Sequence, residues 1–365
     1  MKVYKKIISV TIAALMLFCT LSSCGLGENT AFMRRNESSM LDKKPSEKKE
    51  RLPGLVFWGG TTAYGSGADG NNIEKVVEEH MMSDECYIPV ANMGVPTENN
   101  QTIMARCGAV DTLVEEFTIP ENTDKVRMKI YTSNKSAISP LTYGTRWDGG
   151  MTDVTIAGVR GELSVDSATV SLGDPVYYFS RNTYGEEKKV SKGEKLVSMS
   201  MTDYKDYIPV VCMGENGYWT SFKDLADQIE KVIKTSSNSD KYIVLGLFTV
   251  PLLSEQLGSI DTNDEKALEE LTKKNNIAYD KYMKKRFGEH YLSLRETICS
   301  EEAVEKLKKI DDGVFNLTEQ DEKELHSGIV SSCVRYNKTI LNQYGYSLVG
   351  DALYEKLVDM GYLYH

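Results

Sequence analysis

Short apolar runs stopped by glycine alternate along this chain with stretches in which apolar residues recur every three to four positions. Leu55 to Trp58 is the first such run, halted by Gly59 and Gly60, and in Asn71 to Met82 the residues Ile73, Val76, Val77 and His80 share one helical face. Cys86 to Val90 opens a second strand leading into Gly94. Tyr207 to Met213 is a continuous apolar run of the kind buried in a parallel sheet. Ser221 and Asp224 then start a helix carrying Leu225, Ile229, Val232 and Ile233 on one side. Tyr242 to Val250 is the most strand-like segment. Asp264 to Phe287 predicts a long amphipathic helix, Tyr291 to Leu294 a short strand and Ser347 to Met360 a closing helix. Strands alternating with helices predict an α/β fold built on a parallel sheet.

Between Gly108 and Met201 the periodicity changes. Val126 to Tyr131 and part of Val154 to Val165 alternate apolar and polar residues, with Gly, Asp, Asn and Pro between them. Residues 109–201 therefore read as a β-rich insertion, a small sandwich or barrel, dividing a main domain of residues 52–108 and 202–365. It serves as a spacer or as a lid over a substrate.

The amino terminus has another character. Lys2, Lys5 and Lys6 precede an apolar run from Ile7 to Phe18, which suits a signal peptide better than a spanning helix. Leu21-Ser22-Ser23-Cys24 looks like a bacterial lipobox. That likeness implies export, cleavage after residue 23 and a membrane lipid attached to Cys24. Residues 24–51 are polar and charged with little to bury, and read as a disordered tether. The expected location is extracytoplasmic, anchored to a bacterial membrane by lipid.

A formal charge of −10 argues against a nucleic-acid partner, and 41% hydrophobic residues supply a sizeable core. Cys86, Cys107, Cys212, Cys299 and Cys333 show no close Cys-x-x-Cys spacing, so they predict mostly buried thiols rather than a zinc site or a disulfide framework. No metal or cofactor is implied.

Three stretches carry chemistry by their backbone pattern: Trp58-Gly59-Gly60-Thr61-Thr62-Ala63-Tyr64-Gly65, Val90-Ala91-Asn92-Met93-Gly94-Val95 running on to Arg106-Cys107-Gly108, and Val211-Cys212-Met213-Gly214-Glu215-Asn216-Gly217. In that order, and with Leu341-Asn342-Gln343-Tyr344-Gly345-Tyr346 before the last helix, they resemble the SGNH (GDSL-type) hydrolases. The resemblance implies a three-layer α/β/α, flavodoxin-like fold and an ester-hydrolase site. It puts Thr61 in the nucleophile register of Gly-Asp-Ser, makes Gly94 and Asn216 the oxyanion donors, and puts Asn337 and Ile340 where the family has the Asp and His of Asp-x-x-His.

The chemistry of that set is incomplete. A hydroxyl nucleophile needs a base within hydrogen-bond reach, held by a third group. Ile340 accepts no proton, Asn337 stabilises no imidazolium, and the extra methyl of Thr61 crowds its approach. A substitute base would come from His80, His290, His326 or His365, of which His326 lies nearest in sequence to the fourth block. Asp69 and Glu215 are nearby acids. Tyr218 and Trp219 offer stacking surfaces for a ligand, or else core packing. Two readings follow: an inactive scaffold binding a glycan or another envelope ligand, and an esterase or deacetylase on carbohydrate or lipid esters using Thr61 with a base foreign to the family.

Overall fold

In the computed structural model, which describes residues 52–133, 152–170 and 175–363, the glycine-stopped runs become the strands of a five-stranded parallel sheet. Its strands are β1 (Leu55–Gly59), β2 (Val90–Gly94), β3 (Ile208–Cys212), β4 (Ile243–Leu245) and β5 (Tyr291–Leu292), in the order β5-β4-β3-β1-β2. Every residue of β1 and β3 is buried, as expected of strands covered on both faces. β1 pairs with both β2 and β3 in parallel, with Phe57 opposite Asn92 and Val210.

The winding reverses at β1. The chain steps outward to β2, then crosses back to lay β3 on the other side. The carboxyl ends of β1 and β3 thus flank a topological switch point, where open sheets of this kind leave a crevice.

The connecting helices are α1 (Thr61–Tyr64), α2 (Ile73–Ser83), α3 (Asn100–Cys107), α4 (Phe222–Ile233), α5 (Glu265–Phe287), α6 (Glu301–Lys308), α7 (Glu319–His326) and α8 (Gln343–Asp359). They fall into two groups: α2 and α6 pack on α8, with α7 on α6, while α3, α4 and α5 pack in succession. Helix starts follow the capping residues. Ser221 accepts the Asp224 N–H, Asp264 accepts two first-turn N–H groups, and Thr318 with Asp321 forms a capping box.

Four expected elements differ. The second strand begins only at Val90, and Cys86 to Pro89 lead into it without regular structure. Of Tyr242 to Val250 only Ile243–Leu245 is strand. Gly246 donates to the Leu292 carbonyl, and the apolar remainder, including Leu247, Phe248 and Val250, is buried as loop with Val250 bonded to Asn275 and Asn276. Tyr291 to Leu294 gives two strand residues before a short helix begins at Leu294. The last helix begins at Gln343, four residues early, because the Asn342 side chain accepts the N–H groups of Tyr344 and Gly345.

Residues 112–198 carry the antiparallel β structure expected of the insertion. Seven strands pair in the order Val126–Met128, Tyr177–Arg181, Val159–Val165, Asp153–Ile156, Lys195–Ser198, Thr112–Val114 and Ile130–Thr132. The alternating stretch Val126 to Tyr131 is thus two strands, not one. They lie at opposite edges of the sheet with only Lys129 between them, so the sheet rolls into a near-barrel. Its interior holds Val114, Met128, Val154, Ile156, Leu163, Tyr177, Phe179 and Leu196, joined by Ala105 of α3. Residues 52–365 make one compact unit. Among the described residues no helix is long and apolar enough to cross a membrane. The signal segment, Cys24, the tether and His365 lie outside the described residues.

Candidate functional site at the carboxyl edge of the parallel sheet

β1 delivers Gly59 and Gly60 to the switch point, and Thr61 opens α1. Gly60 is the N-cap of this one-turn helix and has no side chain to accept its free N–H groups. Glu215 supplies the acceptor from across the sheet. The Thr62 N–H donates to Glu215 Oε1 at 3.1 Å and Oε2 at 3.3 Å, and the Thr61 N–H and Thr62 hydroxyl donate as well. Glu215 is half-buried as a residue but turns its carboxylate inward, and enclosure pushes its carboxyl above the ordinary value against the pull of those donors. A Cβ at Gly60 would lie 2.9 Å from Glu215 Oε2, 3.3 Å from the Glu98 carbonyl oxygen and 3.4 Å from Asn216 Nδ2. The space into which a side chain at residue 60 would point is therefore held by Glu215.

The Thr61 hydroxyl accepts the backbone N–H of Thr97 at 3.1 Å. Thr97 has φ +64°, a left-handed conformation that costs a residue with a Cβ about 1 kcal/mol. What holds it there is next door. Glu98 and Arg106 form a fully buried pair, with Arg106 Nε 2.8 Å from Oε1 and 2.9 Å from Oε2, and Arg106 Nη2 donating to the Met93 carbonyl at 2.8 Å. The guanidinium also lies over the Trp58 ring, 5.5 Å from its centre.

Gly94 does not play the part expected of it. Its N–H is used by Asn92 Oδ1 at 2.8 Å, and it is a glycine because α1 crosses so close that a Cβ would meet the backbone of Ala63 and Tyr64. The backbone donor facing the Thr61 hydroxyl is that of Thr97. Asn216 does reach this locus, exposed, with Nδ2 donating to the Glu98 carbonyl at 2.9 Å.

Asn337 and Ile340 lie in an exposed turn closed by the Arg335–Leu341 bridge. Asn337 Oδ1 accepts the Thr339 N–H at 2.8 Å, so the side chain stabilises its own turn. The Ile340 side chain packs beside Gly67, in the loop after α1. The described histidines are committed elsewhere. His80 pairs with Asp351 at 2.8 Å and stacks on Tyr354, His290 bonds the Tyr242 carbonyl at 2.9 Å, and His326 faces Glu301 at 3.4 Å.

Trp219 is not a ligand platform. It is 6% exposed, donates to the Gly214 carbonyl at 2.9 Å and packs on Phe222. Tyr218 is 58% exposed, again with a left-handed φ of +65°, and its carbonyl is held by Gln228 Nε2 at 2.9 Å. Asp69 is exposed.

Sequence reasoning passed over Thr97, the Glu98–Arg106 pair, and the exposed Tyr64 and Tyr336. A signal for the first was present, since Pro96-Thr97-Glu98 sits between a strand and a capped helix. Cys107 and Cys299 are pushed up to about 12 and Cys333 to about 11 by burial, so none is a thiolate at neutral pH. Among the described residues no group of three His, Cys, Asp or Glu could hold a metal ion. Cavities of about 660 and 450 Å³ are lined by segments that enter β3, β4 and β5, and so open at the amino edge, away from Thr61. Comparison with known proteins gives no matching family model, no matching curated protein and no matching solved structure.

Proposed function

We propose that this chain is a lipid-anchored, extracytoplasmic protein with a three-layer SGNH-type hydrolase fold that has lost catalysis and uses the site around Thr61 to bind a glycan or another cell-envelope ligand. One observation carries the proposal: the Thr61 hydroxyl is met by a backbone N–H, while the base and acid registers hold an aliphatic side chain and an amide engaged in its own turn. A donor on the hydroxyl oxygen does nothing to remove its proton, which is what nucleophilic attack requires.

The sheet order β5-β4-β3-β1-β2 and the convergence of the first three sequence blocks at one switch point support the fold reading. The rival reading, an esterase using Thr61 with His326, is disfavoured because His326 is turned to Glu301. Residual rate from binding and oxyanion contacts alone would be only about 10³–10⁴-fold over water.

Reversal tests the proposal. Gly60→Asp, Thr61→Ser, Asn337→Asp and Ile340→His restore the family's side chains, but Asp at 60 would collide with Glu215, so Glu215→Ala must accompany them. The five-fold variant is expected to hydrolyse esters from a broad panel above background. A folded five-fold variant with no such activity contradicts the proposed ancestry of the site.

A further inference from the structure

We infer that Tyr64, Tyr218 and Tyr336 form a stacking rim around Thr61 that binds an uncharged polysaccharide. The inference rests on the binding function proposed above and names its ligand class. The three rings come from three separate segments of one edge. Tyr64 ends α1, three residues after Thr61; Tyr218 follows Asn216; and Tyr336 brings its Cβ beside Gly67, in the loop that continues from α1. They are 39%, 58% and 73% exposed.

Exposure alone is weak, but Tyr218 adds a second observation. A left-handed backbone at a bulky aromatic residue is strained, and strain of this sort persists where surrounding structure imposes it. Here Gln228 imposes it, clamping the Tyr218 carbonyl while its own Oε1 accepts Asn100 Nδ2 at 2.8 Å. The fold thus spends strain to present a ring to solvent.

The polar groups between the rings select the ligand. Thr61, whose oxygen already accepts the Thr97 N–H, offers its hydroxyl proton, and Asn216, whose Nδ2 is held by the Glu98 carbonyl, offers its amide oxygen, both uncharged. The enclosed Glu215 carboxylate behind them disfavours an anion. An acyl chain would want an apolar trough, whereas each ring of the rim carries a hydroxyl. A pyranose unit fits both demands: its C–H face lies on the negative face of an aromatic ring and its hydroxyls bond to neutral donors and acceptors.

The test uses the full chain, sedimented with chitin, cellulose, xylan and starch, and separately with vesicles of anionic phospholipid. Wild type is expected to bind at least one polysaccharide, and Tyr218→Ala and Tyr336→Ala to weaken that binding about tenfold each. Tyr87→Ala and Tyr184→Ala, which remove exposed rings elsewhere, should leave it unchanged. Tyr218→Gly, which relaxes the backbone and removes the ring, should fold and weaken binding as much as Tyr218→Ala does. Binding to no polysaccharide, binding indifferent to the rim, or binding to the vesicles alone would overturn the inference. Ester hydrolysis by wild type would instead refute the loss of catalysis and leave the rim standing.

Discussion

Glu215 does at the start of α1 what residue 60 does not. A one-turn helix has few internal bonds, so an acceptor for its first N–H groups decides whether it forms, and a carboxylate there is stabilised by the helix end. The same carboxylate is enclosed, and burial raises its carboxyl above the ordinary 4.5. The native state therefore holds the Glu215 proton more tightly than the unfolded chain does. Between 4.5 and the raised value, this group makes stability fall as pH rises. Glu215→Gln removes the titration, so its melting temperature relative to wild type is expected to improve steadily as pH increases from 4.5 through that window. Parallel profiles would show that Glu215 does not titrate there. At this scale the sequence was readable where the chemistry is local: Thr61 follows Gly59-Gly60 at the carboxyl end of β1. It was unreadable where a role depends on a φ angle or on burial, as with Thr97, whose left-handed backbone brings its N–H to the Thr61 hydroxyl, and Trp219, which is core.

Helices and strands were legible wherever periodicity and capping agreed, as at Ile73–Ser83, Phe222–Ile233 and Glu265–Phe287. They were not where burial occurs without regular structure, as beyond Leu245, or where one residue separates two strands, as at Lys129. The segment from β2 to α3 depends most on a contact that sequence does not reveal. Glu98 and Arg106, eight positions apart, are each fully enclosed and fix the loop that presents Thr97. Arg106→Met leaves Glu98 as an uncompensated buried charge and is expected to cost about 3–5 kcal/mol in denaturant unfolding. The double variant Glu98→Gln with Arg106→Met should lose less than Arg106→Met alone. A cost below about 1 kcal/mol for Arg106→Met would mean that the loop is held by other contacts.

For the whole molecule, the parallel sheet brings Thr61, Thr97, Glu215 and Asn216 to one edge, while the near-barrel is tied to it through α3. The amino-terminal reading is tested separately: Cys24→Ala should shift the protein from the membrane fraction to the soluble fraction, and unchanged membrane association, with no lipid label on wild type, would refute it. The proposed loss of catalysis rests on the described residues placing no histidine at the Thr61 hydroxyl, which a backbone N–H meets instead. Its most direct test is the rate at which purified protein hydrolyses short-chain nitrophenyl esters, compared with Thr61→Ala across pH 6 to 9, a range of about 3 units that covers imidazole titration. Equal rates for the two proteins are predicted. A clear excess in wild type that disappears in Thr61→Ala would contradict the account and require a base that the described histidines do not supply.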